Sequence, residues 1–281
     1  MANRLFSVAA PGELVLDHVG HFVPDLEAAG DLLSKLGFFS TPVSHHQANG
    51  QPAGSANRCV MLREGYLEIL APTLDTPNAA RVRGWMRRYP GVHLVSWGTP
   101  AAAEDHVRLA AHGFTPDSLV ELRRKTNEGE VGFRVLYVPP EKMPECRAQY
   151  CQHLTPEITW HDFATRHTNG VIGLTAVYIV AEDPEETAAR WAEFSGLLPV
   201  SEKNEVVLTA SRGTIHIATG KALATFLDHV PPAPGIAAIG LRFSDPAKFS
   251  ALCQKNGLEV RKTRRGRCVS LPPALGGNWL F

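Results

Sequence analysis

The chain has no cysteine pair at C-x-x-C spacing, no surplus of either charge and no uncharged apolar run of the ~18 residues that a membrane-crossing helix needs. Each absence removes a class of protein. The cysteines Cys59, Cys146, Cys151, Cys253 and Cys268 are odd in number and unpaired in spacing, which excludes a disulfide scaffold. Lys and Arg total 28 and Asp and Glu total 28, so there is no electrostatic case for nucleic acid or an anionic membrane. The one basic run, from Arg261 through Arg264 and Arg265 to Arg267, lacks interleaved aromatics and reads as a solvated hairpin. A soluble, cytoplasmic protein is expected.

What the chain does have is a unit repeated four times. A short apolar strand leads to an acidic or turn residue, an Ala/Glu-rich helix, and Gly followed by Phe or Leu. The copies run from Leu16 through Asp25 to Gly37-Phe38, from Val92 to Gly113-Phe114, from Leu174 through Asp183 to Gly196-Leu197, and from Ile236 through Asp245 to Gly257-Leu258. The interval from acid to glycine fits one helix of about three turns ended by a left-handed Gly. After the first helix, residues 58–62 and 66–70 read as strands about the turn Arg63-Glu64-Gly65, giving β-α-β-β-β. A unit that buries its apolar face only against another implies two pairs. An α+β fold is expected, with 14–165 as one pair and 171–281 as the other, each a half-open mixed barrel flanked by helices.

These residues resemble the vicinal oxygen chelate superfamily, which includes glyoxalase I, extradiol dioxygenases and bleomycin and fosfomycin resistance proteins. More narrowly, Leu16-Asp17-His18-Val19, Val23-Pro24-Asp25-Leu26, Gly54-Ser55-Ala56-Asn57 and Gly65-Tyr66-Leu67-Glu68-Ile69-Leu70-Ala71-Pro72 resemble its glyoxalase-like domain family. Cys151-Gln152-His153-Leu154-Thr155-Pro156, Trp160 and His167-Thr168-Asn169-Gly170 extend the likeness. The resemblance implies a divalent ion (Fe, Zn, Ni or Mn) inside the barrel and a small-molecule substrate. Its first ligand stands seven residues before the acid that opens the helix, which is His18, and a later strand supplies Glu68, also the candidate catalytic carboxylate.

The second unit leaves two choices open. If Pro100 takes the acidic position the ligand counterpart is His93; if Ala101 does, it is Leu94. At the end of the unit either Gln152 or His153 faces the ion, since strand alternation admits one of them. The metal set is thus His18, Glu68, His93 and His153, with Gln152 as the alternative. His46, Asn57, Tyr66 and Trp97 are candidates for contacting substrate, although aromatics such as Trp97 equally suit a core. His45 and His46 lie in a polar, Gly-rich segment, 44–55, read as a mobile loop at the rim, and His167 to Gly170 as a turn between the halves. His21 reads as packing or surface.

Seven residues before Asp183 and Asp245 stand Ala176 and Ala238, and His216 alone occupies a ligand-like position. The second pair therefore reads as a cover or a dimerisation surface. The expected function is a metal-dependent lyase or isomerase of a compound with adjacent oxygens. An extradiol-type iron dioxygenase is the alternative, weakened because those enzymes keep iron in the second pair. A metal-free binding or resistance protein is the third possibility.

Overall fold

A computed structural model of the chain describes residues 8–48, 51–126, 128–161 and 163–281. The first unit comprises β1 (Val15–Phe22), α1 (Leu26–Lys35), β2 (Ser44–Ala48), β3 (Gln51–Met61) and β4 (Tyr66–Pro72). After α2 (Pro77–Met86) come β5 (Gly91–Gly98), α3 (Ala102–Ala111), β6 (Val120–Thr126), β7 (Gly129–Tyr137) and β8 (Arg147–His153). The short α4 (Pro156–Thr159) leads to β9 (Val171–Val180), α5 (Pro184–Ser195), β10 (Pro199–Glu202), β11 (Glu205–Thr209) and β12 (Thr214–Ala218). Then follow α6 (Gly220–Leu223), β13 (Gly235–Phe243), α7 (Pro246–Lys255), β14 (Val260–Thr263), β15 (Gly266–Ser270) and β16 (Asn278–Leu280).

Local chemistry sets the helix ends. Asp25, Asp183 and Asp245 are N-caps, each accepting from the backbone N–H groups two and three residues on. Gly37, Gly113, Gly196 and Gly257 follow the helices at φ of +77°, +76°, +76° and +76°, a conformation that residues with a Cβ rarely adopt. Ala101 caps α3 without any side-chain bond. It holds the place of Asp25, so Leu94, not His93, is the counterpart of His18.

The units pair as the repeat implies. One eight-stranded sheet has the order β2-β3-β4-β1-β5-β8-β7-β6, the other β10-β11-β12-β9-β13-β16-β15-β14. In the first, β1 and β5 run antiparallel at the centre, with β4 parallel to β1 and β8 parallel to β5. The sheet curls into a half-open barrel, and the second repeats its topology.

Segment 44–55 is not a loop. Its described residues form β2 and the start of β3, with Ser44 opposite Asn57 and His45 opposite Ala56; Asn49 and Gly50 lie outside the described residues. The basic run is a hairpin of β14 and β15 as expected. One hydrophobic core joins the halves, from Leu16 and Phe38 to Trp191, Phe249 and Trp279. His21 belongs to this seam: it is fully buried, its Nδ1 donates to Leu275 O at 3.1 Å, and its Nε2 accepts from Trp279 Nε1 at 3.3 Å. His167 and Asn169 tie the linking turn back to Met61 O and Leu36 O. Among the described residues, no helix is long and apolar enough to cross a membrane.

Candidate functional site

Register and alternation decide which side chains share the concave face of the first sheet. His18 pairs with Tyr66 and Gly20 with Glu68 across the parallel β1–β4 ladder. On the far side Glu68 pairs with Cys59, and Asn57 stands two residues earlier on the same face. Across the centre, His18 is opposite Ser96, which pairs with Gln149 on β8. Cys151 and His153 follow Gln149 at alternate positions. The face thus gathers His18, Asn57, Cys59, Tyr66, Glu68, Gln149, Cys151 and His153.

Asp17 joins them through a β-bulge. Leu16 pairs with Trp97 and His18 with Ser96, so Asp17 is an extra residue in β1, which re-aims its side chain. Its Oδ2 accepts from His18 Nδ1 at 2.6 Å, and its Oδ1 from His153 Nε2 at 3.0 Å. Burial alone would raise the carboxyl pKa, but His153 and His18 hold it well below the ordinary carboxylate range. With Nδ1–H donated to Asp17, the Nε2 of His18 is left for the site, where Gln149 Nε2 lies 3.4 Å away. Gly98 across the ladder makes room for the bulge, because a Cβ there would lie 3.2 Å from Asp17 Oδ1.

Glu68 is buried and ionised. Burial pushes its pKa up, yet the fields of His18 and His46 and a 2.6 Å bond from Asn57 Nδ2 bring it below the ordinary value. Tyr66 stacks on the His18 ring at 4.3 Å, and burial pushes its phenol well above the ordinary value, so it remains a neutral O–H. Trp160 and Phe133 meet the His153 ring edge-to-face at 4.5 and 5.2 Å. Arg147 lies over Tyr137 at 4.6 Å and acts on Glu68 by charge.

Two donor sets suit a metal ion. Oxygen, sulfur and nitrogen atoms of Asp17, Cys151 and His153 lie within 4.8 Å of one another. A second candidate set is His18 Nε2 and Glu68, which interact by charge, with Gln149, whose Nε2 lies 3.4 Å from His18 Nε2 and whose Oε1 is buried with no hydrogen-bond partner. An imidazole, an ionised carboxylate and an unpartnered amide oxygen are donors that suit a borderline or hard divalent ion.

The expected site residues divide accordingly. His18, Glu68 and His153 come together, with Asn57 bonded to Glu68 and Tyr66 meeting the rings of His18 and His153. His46 is half-buried on β2, with Nδ1 3.0 Å from Ser55 Oγ and its charge felt by Glu68. His93 lies elsewhere: its Nε2 donates to Tyr89 O at 2.8 Å, its ring packs on Tyr89, Trp85 and Phe22, and burial lowers its pKa to about 4. Gln152 faces away from His153 and donates to Pro100 O at 2.7 Å. Trp97 is fully buried in the core, on the face of β5 opposite Leu94 and Ser96.

Asp17, Gln149 and Cys151 are absent from the sequence-based set. Gln149 is the register counterpart of Glu68, since Ser96 pairs with it as Gly20 pairs with Glu68. Pro72 and His153 each stand four residues beyond, so aligning Pro72 with Pro156 misplaces the counterpart by three.

The sequence profile described as "Glyoxalase-like domain" matches residues 16–195, more than half of the chain. No curated protein matches the sequence significantly. Among solved structures, a hypothetical protein from Staphylococcus aureus is 13% identical with a TM-score of 0.67, over 95% of this chain and 98% of that one. A catechol 2,3-dioxygenase is 11% identical, with a TM-score of 0.59 over 94% and 90%. A Mn(II)-bound glyoxalase from Novosphingobium aromaticivorans is 8% identical, with a TM-score of 0.55 over 94% and 81%. At these identities the likeness is one of fold.

Proposed function

The chain belongs to the glyoxalase-like domain family of the vicinal oxygen chelate superfamily, and on that premise we propose that its first half-barrel is a metal-assisted acid–base site for a small carbonyl or hydroxy compound bearing adjacent oxygens. His18 and Glu68 would hold the divalent ion, with the orphan Oε1 of Gln149 as third donor. The observation that carries this is the 2.6 Å bond from His18 Nδ1 to buried Asp17, which directs Nε2 to the side where Gln149 lies. A carboxylate behind a histidine ligand fixes its tautomer and ring orientation. Leu94 stands at the fourth position and offers no donor.

A bound ion supplies Lewis acidity to the substrate oxygens and stabilises negative charge as it develops there. The rest falls to the chain. Asn57 engages Glu68 Oε1, leaving Oε2 to ligate or to take a proton from the carbon next to the carbonyl. Tyr66 and Trp160 give the site an apolar wall that excludes water, and the neutral Tyr66 O–H is a donor for an oxyanion.

The test is the metal content of purified protein with His18→Ala, Glu68→Gln and Cys151→Ser beside the wild type. Metal in wild type and Cys151→Ser, with loss in the other two, supports this assignment. Loss in Cys151→Ser with retention in Glu68→Gln moves the ion to Asp17, Cys151 and His153. A second reading, a metal-free binding protein, draws on the Gln149–His18 contact, which partners the ring without an ion, and on Leu94, which offers no donor. It is the one left standing if the wild type neither carries nor takes up metal. Oxygen uptake by iron-loaded protein would favour the dioxygenase instead.

A further inference from the structure

The second half-barrel carries its own built polar cluster at the positions equivalent to the first. Tyr178 pairs with His216 as Gly20 pairs with Glu68, and Val207 pairs with His216 as Cys59 pairs with Glu68. His216 therefore stands in the place of Glu68, and Glu205 in that of Asn57. Ala176 and Ala238 occupy the places of His18 and Leu94, which leaves no second metal donor on the central strands. The chemistry has changed from ligands to cations. Glu205, buried, is bonded to Arg265 and lies 3.1 Å from His216 Nδ1. The Arg265 guanidinium lies over Tyr178 at 5.5 Å and over Phe226 at 5.3 Å.

Beside this cluster is a cavity of about 150 Å³, lined among others by Phe226, Ala218, Ala222, Lys203, Arg264 and Arg265. That is room for on the order of ten waters or an organic molecule of like size. One wall is apolar and the other basic. Glu205 neutralises Arg265, whose Nε–H is buried without an acceptor. Lys203 and Arg264 have no ion-pair partner among the described residues; of the two acids in the lining, Glu205 is bonded to Arg265 and Glu202 is exposed. An acceptor is missing and positive charge is in excess.

We propose that this cavity binds a small organic carboxylate, its apolar part against Phe226 and Ala222 and its carboxylate toward Arg265, Arg264 and Lys203. Thr214 Oγ1 lies 3.0 Å from His216 Nε2 but neither residue lines the cavity, so the role is binding and not covalent catalysis.

Benzoate, titrated calorimetrically into the full chain with benzyl alcohol and inorganic phosphate as controls, tests this. Saturable benzoate binding is expected, with at least tenfold weaker binding of either control. The surface pair Arg264→Ala with Lys203→Ala should weaken benzoate at least tenfold with unchanged unfolding temperature, and Ala222→Phe should fill the cavity and do the same. His18→Ala with Glu68→Gln should leave it intact, which separates this cavity from the first half-barrel. No saturable binding, equal binding of benzyl alcohol or phosphate, indifference to Arg264 and Lys203, or loss with His18 and Glu68 would each overturn the proposal.

Discussion

Asp17 accepts from His18 Nδ1 at 2.6 Å, and the same carboxylate receives His153 Nε2 at 3.0 Å, all of it buried. One acidic residue therefore fixes two imidazoles on the concave face. Asp17→Asn keeps the shape but removes the charge, and it should weaken metal binding about 10–100-fold. Asp17→Ala leaves buried ring N–H groups unpaired and should cost about 3 kcal/mol of unfolding free energy. Metal titration and urea unfolding measure the two effects. Unchanged affinity in Asp17→Asn would mean that Asp17 does not position His18.

Gly98 should be coupled to Asp17 although it carries no functional group. Its φ is unremarkable, so the constraint is packing: a Cβ would meet Val15 Cγ2 at 2.8 Å and Asp17 Cβ at 3.2 Å. Gly98→Ala should cost about 1–3 kcal/mol by overpacking and displace the carboxylate. In an Asp17→Ala background the same change should cost less, because the Oδ1 contact at 3.2 Å is gone while those with Val15 Cγ2 and the residue-17 Cβ remain. A double-mutant cycle with zero coupling would count against the bulge as the element that places Asp17.

His21 makes the seam between the halves sensitive to acid. Its Nε2 accepts from Trp279 Nε1, which a protonated ring cannot do, and burial lowers its pKa from 6.5 to about 4. Above pH 6.5 both folded and unfolded chains hold it neutral, and its contribution to stability is whole. Between about 6.5 and 4 the unfolded chain takes up a proton and the folded chain does not, so stability falls as the pH falls. The loss is on the order of 3 kcal/mol by pH 4, and buried His93 adds in the same sense. Urea unfolding from pH 7.5 to 4.5 should show this slope, and His21→Asn should reduce it. An unaltered slope in His21→Asn would assign the acid sensitivity to other groups.

The parts legible in the sequence are those set by local chemistry. Aspartate caps and left-handed glycines recur because a helix end needs them wherever it lies, so the four units and their pairing are legible in the sequence alone. His18 and Glu68 are legible through the resemblance to the superfamily, which places one ligand seven residues before the acid that opens the helix and the other in Tyr66-Leu67-Glu68. Asp17 was hidden because strict alternation puts it on the far face, and only a bulge, with Gly98 opposite, turns it back. Leu94 and His93 could not be told apart because the residue that marks the count, Ala101, lacks the capping side chain. Gln149 is not legible because Pro156 stands three residues beyond the end of β8, whereas Pro72 is the last residue of β4. Segment 44–55 read as a loop on its Gly and polar content, yet its described backbone pairs as a hairpin beside the site.

The missing cap also yields the plainest stability prediction. Asp25, Asp183 and Asp245 each satisfy two backbone N–H groups at a helix start, whereas Ala101 satisfies none with its side chain. A serine Oγ at that position can accept from the backbone N–H two or three residues on, and the gain of such a cap is typically about 1 kcal/mol. Serine is preferable to aspartate because Asp105 lies four residues on in the same helix, where like charges repel. Ala101→Ser should therefore raise the unfolding temperature by about 2 °C, while Asp183→Ala should lower it by a similar amount. Thr99 Oγ1 already accepts from Ala101 N at 3.0 Å, so that bond is kept and the serine adds to it. If Ala101→Ser gained nothing while Asp183→Ala lost about 1 kcal/mol, the backbone at 101, with its ψ of 55° in place of the 118° at Asp25, would be the cause. The second unit would then differ from the others in entry angle as well as in chemistry.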